Sequence, residues 1–140
     1  MDSESDGLIA SPALREQLLL LSTTVSKPNG AVLFARGDPC TGAFLICKGK
    51  VRLSLDAKNA VFPARVLGTG CVVGLPSAVS GLAYSLTAEV LDEAVLACVS
   101  KEKLGAFLRQ SSEMCMEVMR VLSHEISMTR AALKNGCIGV

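Results

Sequence analysis

The sequence predicts a mainly β domain with helices at both ends. Residues 25–99 consist of short apolar runs cut by turn residues, which is typical of a β-sandwich, barrel or jelly roll. Apolar residues recur at helical spacing before and after this region. Half of the 140 residues are hydrophobic, which is enough for the core of one domain.

The first predicted element is a helix over residues 8–22, preceded by a polar leader at residues 1–7. Ser11 is a good N-cap, and proline suits the first helical position that follows it. Leu14, Leu18 and Leu21 fall on one face at helical spacing. We expect this helix to pack against the β region.

About eight short strands are predicted next, with turns at residues 28–30, 36–39 and 48–50. The Lys-Gly-Lys sequence at the third turn predicts a tight hairpin. Apolar and polar residues then alternate over residues 51–55, as in a half-buried strand. Two further strands, residues 84–91 and 94–99, complete the β region. Together with the first helix and a short helix that follows residue 99, the β region forms one predicted domain over residues 8–110.

The C-terminal residues predict two helices. Ser100 can cap a short helix that runs to Arg109. A longer helix over residues 111–135 begins at Ser111 or Ser112, and Asn135-Gly136 is its stop signal before a tail at 136–140.

Two adjacent apolar stripes cover about half the surface of the longer helix. One stripe can face the β region and the other a second copy of the chain, so the helix predicts a homodimer. The alternative is that one wide face packs within its own domain. The predicted dimer interface consists of Met114, Val118, Val121, Leu122, Glu125, Met128 and Ala132.

Residues 68–88 are glycine-rich and lead from an apolar strand into a short helix begun by Pro76. Such a turn leaves several backbone N–H groups directed at one point, which is the usual construction for holding a phosphate. This segment is the first candidate for a ligand site.

Composition excludes several classes of function. The net charge of +1 does not indicate a nucleic-acid surface. No apolar run is long enough to cross a membrane. The acidic N-terminus lacks the basic start of a secretory signal, so we expect a cytoplasmic protein.

Six scattered cysteines without a Cys-x-x-Cys pair, and a single histidine, His124, do not form a metal-binding pattern. We therefore predict no metal and no cofactor. The cysteines are expected to be reduced and to act as small hydrophobic residues, with Cys71 a conceivable thiol sensor beside the glycine-rich segment.

The order of these pieces resembles the sensor domain of the Crp/Fnr family of bacterial transcription regulators, the cyclic-nucleotide-binding fold. Gly70-Cys-Val-Val-Gly74 is similar to the family's Gly-Asp-x-x-Gly entry to the phosphate cassette. Residues 33–38 resemble its strand ending in Gly-Asp, residues 43–52 its Lys/Glu-Gly turn with flanking strands, and residues 119–127 its dimerisation helix. The resemblance covers residues 25–133 and implies a double-stranded β-helix, or jelly roll, followed by a long dimerisation helix.

The resemblance also implies which residues would hold a nucleotide. Members that bind one place a Glu directly after the cassette Gly, for the ribose 2′-OH, and an Arg about ten residues later, for the phosphate. Leu75 follows Gly74 here, and residues 83–86 read Ala-Tyr-Ser-Leu. Because both side chains are missing, we predict no binding of cyclic AMP or cyclic GMP unless Arg65 enters from the preceding strand.

The cassette is still expected to form a pocket, for a neutral or apolar small molecule or for no ligand. Its predicted lining is Gly74, Leu75, Pro76, Ser77, Ala78, Tyr84, Ser85 and Thr87.

Two further features of the family have no counterpart here. The Fnr branch, which also lacks the Glu–Arg pair, binds an iron–sulfur cluster through closely spaced N-terminal cysteines, whereas the first cysteine here is Cys40. Family regulators continue into a helix-turn-helix domain, whereas this sequence ends at Val140. We therefore expect no cluster and no direct DNA binding by this chain alone.

The predicted function is a dimeric regulatory sensor module, not an enzyme, and either half of a longer regulator or a stand-alone relative. Three alternatives stay open. The chain could be a cyclic-nucleotide-binding protein with a divergent cassette, or a structural domain kept for dimerisation. It could also be a cupin-like metalloenzyme, which a single histidine disfavours.

Overall fold

Two long antiparallel strands form the centre of the fold. The computed structural model describes residues 10–55 and 65–123. Within them, β3 (Gly42–Ser54) pairs with β6 (Thr87–Ser100) along its whole length, from Gly42 opposite Ser100 to Ser54 opposite Thr87. The prediction of a mainly β domain with flanking helices is confirmed.

Four shorter strands extend this pair into a six-stranded antiparallel sheet. β1 (Thr23–Lys27) and β2 (Val32–Phe34) both pair with β6. β4 (Arg65–Leu67) and β5 (Val72–Val73) both pair with β3. Side chains from these strands build most of the buried core.

The tight hairpin predicted at residues 48–50 is wrong, because β3 continues through this segment. The register shifts on both sides of Lys48, so the segment is a bulge rather than a turn. Gly49 has φ of +93°, and a Cβ atom there would lie 2.5 Å from the carbonyl oxygen of Glu93. The glycine therefore permits a close approach of β3 to β6. The sequence predicts a break at residues 48–50 and another between residues 91 and 94, but β3 and β6 each continue through the predicted break. The structure therefore describes six strands where about eight are predicted.

Helix α1 (Pro12–Leu21) begins as the sequence predicts. The hydroxyl of Ser11 accepts a hydrogen bond from the N–H of Leu14 and caps the helix. Leu14 and Leu18 are fully buried in the core, whereas Leu19 and Leu20 on the other face are exposed.

Three more helices complete the described chain: α2 (Leu75–Ser80), α3 (Lys101–Gln110) and α4, described over residues 112–123. Ser100 caps α3 by accepting a hydrogen bond from the N–H of Lys103, as predicted. The continuation of the last helix to residue 134 lies outside the described residues. So do the leader, the strand residues 60–64, His124 and the tail.

Two of the residues predicted for the dimer interface lie in the core of the same chain. Val118 and Val121 are each 1% exposed and belong to the core of this same chain, because the helix packs its apolar stripe onto the domain. Met114 and Leu122 are partly buried against that core. Glu125, Met128 and Ala132 lie outside the described residues. The apolar side chains that α4 leaves exposed are Met116 and Met119.

Candidate functional site

The glycine-rich segment folds as a turn and a short helix, as predicted. Gly74 precedes α2 with φ of +81°, a conformation that favours glycine. A Cβ atom at this position would lie 3.1 Å from the carbonyl oxygen of Gly42 and 3.2 Å from Cε1 of Tyr84. Gly81 ends the helix, and its N–H donates to the carbonyl of Ser77. The glycine-rich segment therefore has the turn and the short helix that the sequence predicts.

Three of the six side chains of α2 face the protein core. Leu75 is 1% exposed, and Ser77 and Ala78 are also buried. Pro76 lies at the boundary between core and solvent. The residue that follows Gly74 is thus an aliphatic side chain packed in the core.

The hydroxyl groups predicted for the pocket are used by the protein itself. Ser77 donates to the carbonyl of Ala83 at 3.1 Å, and Thr87 accepts from the N–H of Arg36 at 3.0 Å. Ser85 is exposed. These contacts hold the chain on both sides of the cassette in place.

Tyr84 is buried beside the cassette. The sequence predicts it as a lining residue, and in the structure it lines the cavity and is 3% exposed. Its ring stacks on Phe34, with the ring centroids 3.7 Å apart and the planes within 10° of parallel. The side chain at the end of the cassette is therefore folded inward, onto an aromatic residue of β2.

The hydroxyl of Tyr84 is anchored to the chain that enters β3. It donates to the carbonyl of Gly42 at 2.7 Å and accepts from the N–H groups of Gly42 at 3.1 Å and Thr41 at 3.2 Å. A buried phenol with a partner for its donor and for its acceptor sites satisfies the usual requirement for polar groups in a core. These bonds join the cassette directly to β3.

Little space remains between the cassette and the sheet. The cavity there has a volume of about 20 Å³. Pockets that hold small molecules are typically about 300–1,000 Å³. The lining residues are Phe34, Leu53, Val73, Gly74, Pro76, Ser77, Tyr84, Ser85 and Leu86, none of which is charged.

Sequence reasoning identified the cassette side of this cavity and missed the sheet side, namely Phe34, Leu53, Val73 and Leu86. Phe34 and Leu53 lie outside the glycine-rich segment 68–88, whereas Val73 and Leu86 belong to that segment but are not among its predicted lining residues. The alternation around Leu53 shows that it faces inward, but no sequence signal pairs the Phe34 ring with that of Tyr84.

The arginines of the neighbouring strands do not line the cavity. Arg52 on β3 forms an ion pair with Glu89, its partner residue on β6. Arg65 is opposite Leu53 in the register, so both side chains lie on one face of the sheet, and the Nε atom of Arg65 is buried. Arg65 is therefore near the cassette side of the sheet without being among the lining residues.

Residues 10–55 and 65–123 contain no group of three or more His, Cys, Asp or Glu side chains that could hold a metal ion. Cys40 and Cys71 are buried, and Cys47, Cys98 and Cys115 are partly exposed. In the same part of the chain, no helix is both long enough and apolar enough to cross a membrane.

Comparison with known proteins identifies the fold. Residues 24–111 match the family model of the cyclic nucleotide-binding domain. No curated protein matches the sequence.

Solved structures share this architecture. The catabolite activator protein of Thermus thermophilus superposes with a TM-score of 0.71 at 21% identity, over 89% of this chain and 59% of that protein. A cyclic nucleotide-binding domain from Methylobacillus flagellatus gives 0.69 at 21% identity, with 89% and 71% covered. The c-di-GMP-responsive global regulator CLP of Xanthomonas campestris gives 0.64 at 20% identity, with 88% and 59% covered. This chain thus spans less than two thirds of the Thermus and Xanthomonas proteins.

Proposed function

The chain belongs to the cyclic nucleotide-binding domain family, and from that premise we propose that it is a regulatory sensor module of the Crp/Fnr type whose cassette does not bind cyclic AMP or cyclic GMP. The module acts in the cytoplasm as a homodimer and reports its state through its C-terminal helix. It performs no catalysis and does not contact DNA by itself.

One observation carries the proposal: Tyr84 fills the cassette from within. Its ring stacks on Phe34 and its hydroxyl binds Gly42, which leaves a cavity of about 20 Å³. The lining provides no cation for a cyclic phosphate. A charge-assisted hydrogen bond contributes about 1.5–3 kcal/mol, so the missing guanidinium alone weakens binding by roughly ten- to a hundredfold.

Isothermal titration calorimetry with cyclic AMP and cyclic GMP tests this. We expect no heat of binding for either nucleotide, and we include cyclic di-GMP because CLP is described as responsive to it. The variant Tyr84→Ala enlarges the cavity without adding a cation, and we expect it to stay inactive as well. A cyclic-AMP-binding member of the family serves as the positive control.

A low-micromolar dissociation constant for either nucleotide would overturn the proposal and support the second candidate, a divergent nucleotide-binding cassette. The observation that favours this candidate is the register of Arg65 beside Leu53. In that case Arg65→Gln should abolish the binding, whereas Lys50→Gln on the neighbouring strand should leave it unchanged.

The homodimer rests on the exposed side chains of α4. Met116 is 68% exposed and Met119 is 57% exposed. Exposed apolar side chains that lie together on a protein surface often mark a site of contact with a partner. Met116 and Met119 lie on the helix for which the sequence predicts a dimer interface, and both join the proposed contact residues. A domain kept only for this association, with no ligand at all, stays an alternative.

A further inference from the structure

A second cavity lies away from the cassette. Its volume is about 270 Å³, and it is formed where the end of α1 meets the first residues of β1 and β3, the last residues of β6 and the first turn of α3. This volume is close to the lower end of about 300–1,000 Å³ that is usual for small-molecule pockets.

The strand register explains why space remains at this place. Thr23 on β1 and Phe44 on β3 both pair with Cys98 on β6, so their side chains form one row on one face of the sheet. Two residues along, the same face holds Gly42 opposite Ser100. Gly42 has no side chain and Ser100 has a short one, so the register leaves space beside Phe44, which lines the cavity.

The lining of this cavity includes both apolar and polar side chains. Leu21 and Phe44 provide apolar surface. Ser100 and Lys103, from the beginning of α3, line the cavity as well. None of the described residues that line it is acidic.

We propose that this cavity binds a small monocarboxylate with an apolar body, held by the Lys103 ammonium and seated against Phe44. An ammonium attracts a carboxylate, and the hydroxyl groups of Thr23 and Ser100 can donate to its oxygens. The apolar body gains stability from contact with the aromatic and aliphatic walls. The site goes beyond the proposed function, since it does not depend on whether the cassette binds a nucleotide.

The same cavity shares a wall with the anchor of Tyr84. Thr41 and Gly42 line it, and their N–H groups donate to the Tyr84 hydroxyl. A ligand that displaces this segment changes the geometry of the Tyr84 hydrogen bonds. The carboxylate site is therefore coupled to the cassette through two adjacent peptide groups.

Octanoate is the probe that tests the site, and uncharged octanamide is its matched control ligand.

Cys98 lines the cavity and reports on its occupation. Burial raises the pKa of the Cys98 thiol, and the Lys27 ammonium opposes part of that rise. Alkylation by iodoacetamide at mildly alkaline pH, followed residue by residue by mass spectrometry, reports its access. We expect octanoate to slow alkylation of Cys98 and to leave Cys47, a partly exposed cysteine that does not line the cavity, unaffected.

Two pairs of variants identify the contacts. Lys103→Gln should weaken octanoate binding by about three- to tenfold and leave octanamide unchanged, since only the ion pair is lost. Lys101→Gln removes the same charge from a residue of α3 that does not line the cavity. We expect this variant to have no effect. Thr23→Phe should fill the cavity and abolish the protection, whereas Ser26→Phe, also exposed on β1, should not.

The proposal is overturned if millimolar octanoate does not protect Cys98. Equal protection of Cys98 and Cys47 would overturn it too, because that result indicates a general effect on alkylation. Equal weakening by Lys103→Gln and Lys101→Gln would show that no specific ion pair forms.

Discussion

Tyr84 combines two physical roles in one side chain. Its ring supplies the apolar surface that closes the cassette against Phe34, and its hydroxyl provides partners for the N–H groups of Thr41 and Gly42. A cyclic phosphate is an anion, and a phenol supplies no positive charge to hold it. The same residue therefore explains both the stability of the cassette and its expected lack of nucleotide binding.

Removing only the hydroxyl separates the two roles. Tyr84→Phe keeps the stacked ring but leaves the Gly42 N–H and carbonyl without their buried partner, so the free energy of unfolding should fall by about 1–3 kcal/mol. Urea denaturation followed by circular dichroism measures this. Ser85→Ala, at the exposed neighbouring residue, is the control and should change stability by less than about 0.5 kcal/mol. Equal effects of the two variants would show that the hydrogen bonds are energetically unimportant.

At the scale of single residues, some features of the cassette could be predicted from the sequence and others could not. The turn at Gly74 was predictable, because closely spaced glycines followed by Pro76 form a local signal. The burial of Tyr84 was not, since it depends on Phe34 and Gly42, which are more than 40 residues away in the chain. Contacts of that range leave no pattern in a single sequence.

At the scale of elements, the strands β3 and β6 show the same limit. A Lys-Gly-Lys sequence occurs in tight turns and in bulges alike, and only the partner strand decides between them. Here Glu93 and Ala94 approach Gly49 so closely that the bulge is the arrangement that forms. The helices were predicted more accurately, because Ser11 and Ser100 are local capping signals.

Helices α1 and α4 are joined by a carboxylate. Glu117 accepts two hydrogen bonds from the Arg120 guanidinium, at 2.9 and 3.1 Å, and one from the N–H of Ser11 at 3.3 Å. The Arg120 hydrogen bond, with the contact to Ser11, lowers the pKa of Glu117 from 4.5 to about 2. The first turn of α1 and the middle of α4 are thus linked by an ionised side chain.

This link should make stability depend on pH. Because the folded pKa lies below the unfolded one, the contribution is fully present above pH 4.5 and is lost as the pH falls through about 2. At neutral pH we expect Glu117→Gln to lower the free energy of unfolding by about 0.5–1 kcal/mol, as for other exposed ion pairs. Denaturant titrations of wild type and variant from pH 7 to pH 2 should show the difference shrinking steadily below pH 4.5.

Glu113→Gln is the matched control, since Glu113 is an exposed carboxylate on the same helix. Its effect at pH 7 should be less than about 0.5 kcal/mol. A Glu117→Gln difference that stays constant from pH 7 to pH 2 would contradict the assigned link.

At the scale of the whole molecule, the proposed dimer makes a direct prediction. Multi-angle light scattering at micromolar concentration should give twice the monomer mass. The double variant Met116→Lys/Met119→Lys should give the monomer mass, because two charges cannot be buried unpaired in an apolar interface. A monomer mass for the unmodified chain would contradict the proposal.

Leu20→Lys controls for general effects of adding charge. Leu20 is 75% exposed on α1, so its replacement should leave the dimer intact. If Leu20→Lys dissociates the dimer and the α4 double variant does not, the interface lies on α1 and not on α4.

The burial of Tyr84 has one more consequence, for spectroscopy. The chain contains one tyrosine and no tryptophan, so its near-ultraviolet fluorescence comes almost entirely from a single phenol ring. That ring is stacked on Phe34 and hydrogen-bonded to Gly42. Any event that separates the ring from either partner alters its emission. The unlabelled protein thus carries its own optical reporter of the cassette.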